Sequence, residues 1–171
     1  MMPGFYWWID DEVAGCSRPG GQYPQGRAPS TTKGGGDDAQ ALDRDLTWLR
    51  AQGIAAVLSL TETPLPPDVA EAHELEVLHL PVPDLHAPTP DQLAQALSFI
   101  DRQRALGHPV VVHCLVGEGR TGTVLAAHRV RAGATPGEAL RQLRAIRPGG
   151  VSAREQQDAL DAFARRRDWI V

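Results

Sequence analysis

The ten residues His113-Cys114-Leu115-Val116-Gly117-Glu118-Gly119-Arg120-Thr121-Gly122 bring a thiol, a guanidinium, a hydroxyl and three glycines into one short stretch. A β-branched run, Pro109-Val110-Val111-Val112, precedes it and suits a fully buried strand. The residues from Thr121 onward read as a helix entered through a Thr cap and ended near Gly133. A strand, a glycine-bearing turn and a helix N-terminus make a cradle of backbone N–H groups, and such a cradle binds a tetrahedral anion. A cysteine facing those donors has its thiolate favoured, so Cys114 is the candidate nucleophile. Arg120 returns over the loop and can take two oxygens of a phosphate, a bidentate grip a lysine lacks. Thr121 can donate its hydroxyl to the Cys114 sulfur and ease its later departure. The amides of Leu115, Val116, Gly117, Glu118, Gly119 and Arg120 are the candidate substrate-binding groups, with His113 fixing the loop through a ring hydrogen bond to backbone.

Phosphoryl transfer to a thiolate leaves an alkoxide or phenoxide that needs a proton, so a carboxylic acid must face Cys114 from another element. The segment Pro81-Val82-Pro83-Asp84-Leu85-His86-Ala87-Pro88 follows a strand-like run, and its prolines stiffen a loop. Asp84, thirty positions before Cys114, is the candidate acid, with His86 and Asp91 as fallbacks; Asp91 itself suits a helix first turn.

The elements that must hold these groups alternate between strand and helix. Phe5 to Ala14 reads as an edge strand or strand pair, and 15–21 as a turn. Residues 20–36, dominated by Gly, Pro, Gln, Ser and Thr, read as a long flexible surface loop. Asp37 or Asp38 can cap a helix with Leu42, Leu46 and Leu49 on one face, closing at Gly53. Strands follow at 54–60 and 76–81 around a short helix at 68–75, and Thr61-Glu62-Thr63-Pro64 leaves the carboxyl end of the first, where ligand crevices form. Three capping boxes, at Thr89, Thr135 and Ser152, open helices with inward residues Leu93, Leu97 and Ile100, then Leu140, Leu143 and Ile146, then Leu160 and Phe163. The expected fold is α/β: a central, mostly parallel sheet flanked by helices.

At 171 residues the chain suits one domain, 1–171, with material for a substantial core. Its net charge of −4 argues against a nucleic-acid partner, so anion binding must be local. Two cysteines make no disulfide framework and suit a reducing compartment. Cys16 reads as a small buried residue, although a thiol near the pocket could pair reversibly with Cys114. The N-terminus has no basic region and turns acidic at once, and no apolar run approaches a membrane span, so a cytoplasmic location and no membrane partner are expected.

Cys114-x5-Arg120-Thr121 behind His113 resembles the signature of the cysteine-dependent protein-tyrosine phosphatases, in their small dual-specificity branch. It is not a nucleotide-binding P-loop, whose lysine is missing. The resemblance covers roughly Trp7 to Phe163 and is densest over 81–131. It implies a protein-tyrosine-phosphatase-like fold and metal-independent, cofactor-free hydrolysis of phosphotyrosine, with phosphoserine and phosphothreonine as further substrates, through a cysteinyl-phosphate. Asp84 would be acid and then base, and Gln156 would orient water or a loop amide. A phosphorylated protein or peptide is the implied partner, and a monomer the implied state. Glu118 departs from the family pattern, which often has an apolar or basic residue there; it is expected to face solvent or an arginine, and it weighs against an inositide. A binding pseudophosphatase, a rhodanese-like sulfurtransferase or arsenate reductase, and a phosphatase of RNA 5′-ends, nucleotides or inositides stay open.

Overall fold

Five short strands form one sheet: β1 (Tyr6–Ile9), β2 (Val13–Cys16), β3 (Ala56–Ser59), β4 (Glu76–His79) and β5 (Val110–His113), in the order β1-β2-β5-β3-β4. The coordinates are a computed structural model and describe residues 1–21 and 39–166. β1 is antiparallel to β2, and every other pairing is parallel. The Val-Val-Val-His run of β5 is buried throughout because it lies centrally, between β2 and β3. Gly15 and Cys16, expected in a turn, extend β2 instead, since they pair in register with Val112 and His113. A local apolar pattern does not reveal that partner.

Among the described residues six helices cover the sheet: α1 (Ala39–Ala51), α2 (Pro67–Ala72), α3 (Pro90–Ala105), α4 (Gly119–Arg131), α5 (Pro136–Ile146) and α6 (Arg154–Arg165). Leu42, Leu46 and Leu49 of α1 pack with Ala14, Cys16, Val57 and Val111 on one face of the sheet. Leu93, Leu97, Ile100, Val124, Leu125, Leu143, Leu160 and Phe163 pack with Val13, Leu58, Val110 and Val112 on the other. Each fully buried leucine contributes about 1.5–3 kcal/mol through burial, enough together to fix which face each helix covers. The capping boxes at Thr89 and Thr135 form as the sequence predicts.

Three expectations fail locally. Ser152 makes no box, because Ala153 is the residue before α6 and no side chain caps that end. Ile146 is 45% exposed at the end of α5, where the helix turns off the core that Leu143 enters. α4 begins at Gly119, two residues before the expected Thr121 cap, with Glu118 preceding it and no side-chain cap. The loop winds directly into the helix, so its first-turn amides stay available. The caps expected at Asp37 or Asp38, and the 20–36 loop from residue 22 on, lie outside the described residues. No described helix is long and apolar enough to cross a membrane.

Candidate active site

The parallel strands β2, β3, β4 and β5 all discharge their loops at one edge of the sheet, the usual place for a ligand crevice in an open α/β fold. β5 delivers Cys114, which is 3% exposed, and the Gly117 N–H donates to its Sγ at 3.3 Å. Gly117 has φ +82°, and a Cβ there would lie 2.6 Å from the carbonyl carbon and oxygen of Cys16. Only glycine lets the loop pass so close to the end of β2. The amides of Val116, Glu118, Gly119 and Arg120 donate to no acceptor among the described residues, and the last two open α4. Four backbone donors without an internal partner thus lie along the loop and the start of α4. His113 is buried and bonds through Nδ1 to the Cys114 carbonyl oxygen at 3.1 Å, bracing the loop as anticipated.

Arg120, only 1% exposed, is built into a network that crosses from the loop to two other strand ends. Its Nη1 donates to the Val82 carbonyl at 2.7 Å and to Glu62 Oε1 at 3.2 Å, while Nη2 meets Asp84 Oδ1 at 3.2 Å. The Asp84 N–H donates to the same Glu62 oxygen at 2.6 Å. Glu62 thus ties the Asp84 loop to the guanidinium. Burial works to raise the Glu62 carboxyl, but its own backbone N–H, the Arg120 charge and the Asp84 N–H outweigh it and hold it below the usual carboxylate range. Asp84 itself sits half-exposed at the mouth, beside Leu85, which adopts φ +64°. The Arg120 Nε is buried and makes no hydrogen bond.

The remaining sequence candidates fall around this network. Thr121 is buried in the first turn of α4, but its Oγ1 makes no hydrogen bond, so the expected donation to Cys114 Sγ is absent. The early start of α4 carries it into the helix rather than to the cap. Gln156 is buried, its side-chain amide so close to Gly119 that a Cβ there would lie 2.8 Å from Nε2. Its Nε2 donates to the His86 carbonyl at 3.1 Å, and its buried Oε1 has no partner. Glu118 turns to Arg147, 3.2 Å away, as anticipated. His86 pairs with Glu155 at 2.9 Å, and Asp91 occupies the first turn of α3. Cys16 and Cys114 belong to core clusters on opposite faces of the sheet. Burial, then the charges of Cys114 and Asp45, push the Cys16 thiol up, which leaves it an inert core residue. Among the described residues no group of three or more His, Cys, Asp or Glu gathers as a metal site would require.

Three contributors were not singled out from the sequence. Glu62 carried one signal, its place at the carboxyl end of a parallel strand. Arg18 had none: it is buried, its N–H donates to the Leu115 carbonyl at 3.0 Å, and its guanidinium holds Thr61 Oγ1 at 2.7 Å and the Thr63 carbonyl at 2.8 Å. Tyr6, placed by the sequence only in an edge strand, donates its hydroxyl to the Gly117 carbonyl at 2.9 Å.

Residues 34–134 match the family described as polymorphic toxin system, DSP-PTPase phosphatase. The chain is 31% identical over 127 residues to the phosphatidylglycerophosphate phosphatase PTPMT2 of Arabidopsis thaliana, covering 71% of this chain and 56% of that protein. It therefore spans about half the length of that curated relative. Among solved structures it is similar to Tk-PTP in its active form, at 31% identity and a TM-score of 0.78, covering 98% of this chain and 100% of that one. PTPMT1, at 21% identity and a TM-score of 0.71, covers 94% of this chain and 93% of that one, and speaks to the fold alone.

Proposed function

The chain belongs to the DSP-PTPase phosphatases, the small dual-specificity branch of the cysteine-dependent protein-tyrosine phosphatases, and from that premise we propose that it hydrolyses phosphotyrosine, and phosphoserine and phosphothreonine, in proteins. What supports this most directly is the buried Arg120 guanidinium, set between the ring of unpaired loop amides and the Asp84 carboxylate.

In the first half-reaction the Cys114 thiolate attacks phosphorus in line with the departing oxygen. The S–P bond forms as the P–O bond breaks, while the loop amides and Arg120 hold the equatorial oxygens where charge spreads. A dianion entering the cradle draws Arg120 Nε and Nη2 toward itself, which frees Asp84 from its ion pair; Asp84 enters the step carrying a proton as the neutral carboxylic acid, and gives that proton to the leaving oxygen. In the second half-reaction Asp84 takes a proton from water as that water attacks phosphorus and the S–P bond breaks. Gln156 Oε1, buried against Gly119 without a hydrogen-bond partner among the described residues, orients the water. The protein works as a monomer in a reducing compartment, which keeps the thiolate active.

Turnover of para-nitrophenyl phosphate between pH 5 and 7 tests the scheme. Cys114→Ser abolishes hydrolysis while keeping ligand binding, and Asp84→Ala lowers kcat by about 10²–10³. Turnover that survives Cys114→Ser removes the nucleophile from the mechanism. A parent protein that binds phosphate esters without turning them over is a binding module. Turnover indifferent to Asp84→Ala points to sulfur or arsenate chemistry, which needs no acid.

A phosphomonoester outside proteins is the second reading, favoured by the 31% identity to a phosphatidylglycerophosphate phosphatase. A panel of phosphotyrosyl, phosphoseryl, phospholipid and RNA 5′-phosphate ligands, measured against Cys114→Ser as a trap, separates the two. Glu118 at the mouth leans toward the protein substrate, since its carboxylate occupies Arg147, a cation that a second anionic group would otherwise use.

A further inference from the structure

We propose that Tyr6, on the edge strand β1, is a positioning residue for the phosphate cradle, locking the Gly117–Glu118 peptide with its N–H turned inward; this rests on the reading of the loop as an oxyanion site. The side chain is 8% exposed and lies across Gly15 of β2. A Cβ at Gly15 would come within 2.4 Å of the ring Cζ and 2.5 Å of the hydroxyl oxygen, so the ring reaches the loop only over a glycine. The hydroxyl donates to the Gly117 carbonyl at 2.9 Å, 111 positions away in the chain. That carbonyl and the Glu118 N–H are the two ends of one peptide unit. Holding the oxygen on the β1 side turns the N–H to the opposite side, among the unpaired donors of the cradle.

The alternative orientation explains why a lock matters. Gly117, at φ +82°, has the freedom to let this peptide rotate, and the rotated unit would present a carbonyl oxygen to both the Cys114 sulfur and the incoming anion. One donor would be lost and one repulsive dipole gained. The backbone of Cys16 and Ser17 crowds the Cβ position of Gly117, at 2.6 and 2.9 Å, and the Tyr6 bond holds the other end of the residue, its carbonyl. Burial, and then negative charge at Cys114, push the Tyr6 phenol well above its ordinary range. The hydroxyl therefore stays a donor throughout the working pH range.

Tungstate, a tetrahedral oxyanion, serves as a competitive inhibitor of para-nitrophenyl phosphate hydrolysis. Tyr6→Phe is expected to keep the parent's melting temperature within a few degrees, while tungstate inhibition weakens about 10-fold and kcat falls by a similar factor. Alkylation of Cys114 by neutral iodoacetamide should slow as well, because a Gly117 carbonyl turned toward the sulfur disfavours the thiolate even while the Gly117 N–H of the preceding peptide still donates to it. Gly15→Ala, which displaces the ring but keeps its hydroxyl, should weaken tungstate equally and add nothing to Tyr6→Phe. Parent-like tungstate inhibition in Tyr6→Phe overturns the proposal, as does additivity of the two substitutions. So does an equal weakening in Thr135→Ala, whose capping box is remote from the loop. A parent protein that binds no tungstate at all instead refutes the oxyanion-site reading beneath it.

Discussion

Glu62 illustrates how one carboxylate can tie two loops of a site together. It accepts from both the Arg120 guanidinium and the Asp84 N–H, so Arg120 and the Asp84 loop share an anchor. Its carboxyl is held below the ordinary range, and the sign of the linkage follows. The stability it contributes is complete above its unfolded value of about 4.3 and is lost as pH falls through the lower folded value. Glu62→Gln should therefore melt about 1–3 °C below the parent at pH 7, a small gap because the side chain is half-exposed, and the gap should close as the buffer is taken toward pH 3. Thermal melts of the two proteins across that range check it; a gap that widens in acid would refute the assignment.

At the level of elements, the decisive contact is between the end of β2 and the phosphate loop. Gly117→Ala would force a positive φ on an L side chain and drive its Cβ to 2.6 Å from the Cys16 carbonyl, which is backbone and has nowhere to go. The expected result is a loss of about 2–3 kcal/mol in a denaturant melt together with loss of para-nitrophenyl phosphate turnover; a stable, active variant would show that the loop can be carried elsewhere. The sequence disclosed much of this architecture. Helix stripes such as Leu93, Leu97 and Ile100 and the Thr89 and Thr135 boxes are local signals, and each formed. That Cys114, Arg120 and the loop glycines share one loop follows from their spacing, and the proline-stiffened loop pointed to Asp84, which the fold brings to 3.2 Å from Arg120. Glu62, Arg18 and Tyr6 were not, because each acts through a partner 43 to 111 positions distant that no local pattern names. The extension of β2 through Cys16 was hidden for the same reason: pairing with β5 decides it.

At the level of the whole molecule, acid places a limit on the fold. His128 of α4 is buried against α3, facing Asp101 at 3.5 Å with Arg131 and Arg104 nearby. Burial is the main force lowering its proton affinity, partly countered by Asp101 and aided by the two arginines. The folded protein resists a proton that the unfolded chain accepts near pH 6.5, so stability present above that value is lost as pH falls through the lower folded one. His128→Gln should flatten the decline in melting temperature between pH 6.5 and 5, and an unchanged slope would place the acid sensitivity elsewhere. A second molecular property follows from Arg120, which at rest already holds Val82, Glu62 and Asp84. On the proposed reading, liberated orthophosphate competes with these built-in ligands for the same nitrogens, so weak product inhibition is expected. Such wiring would let turnover continue in surroundings rich in the reaction's own end product.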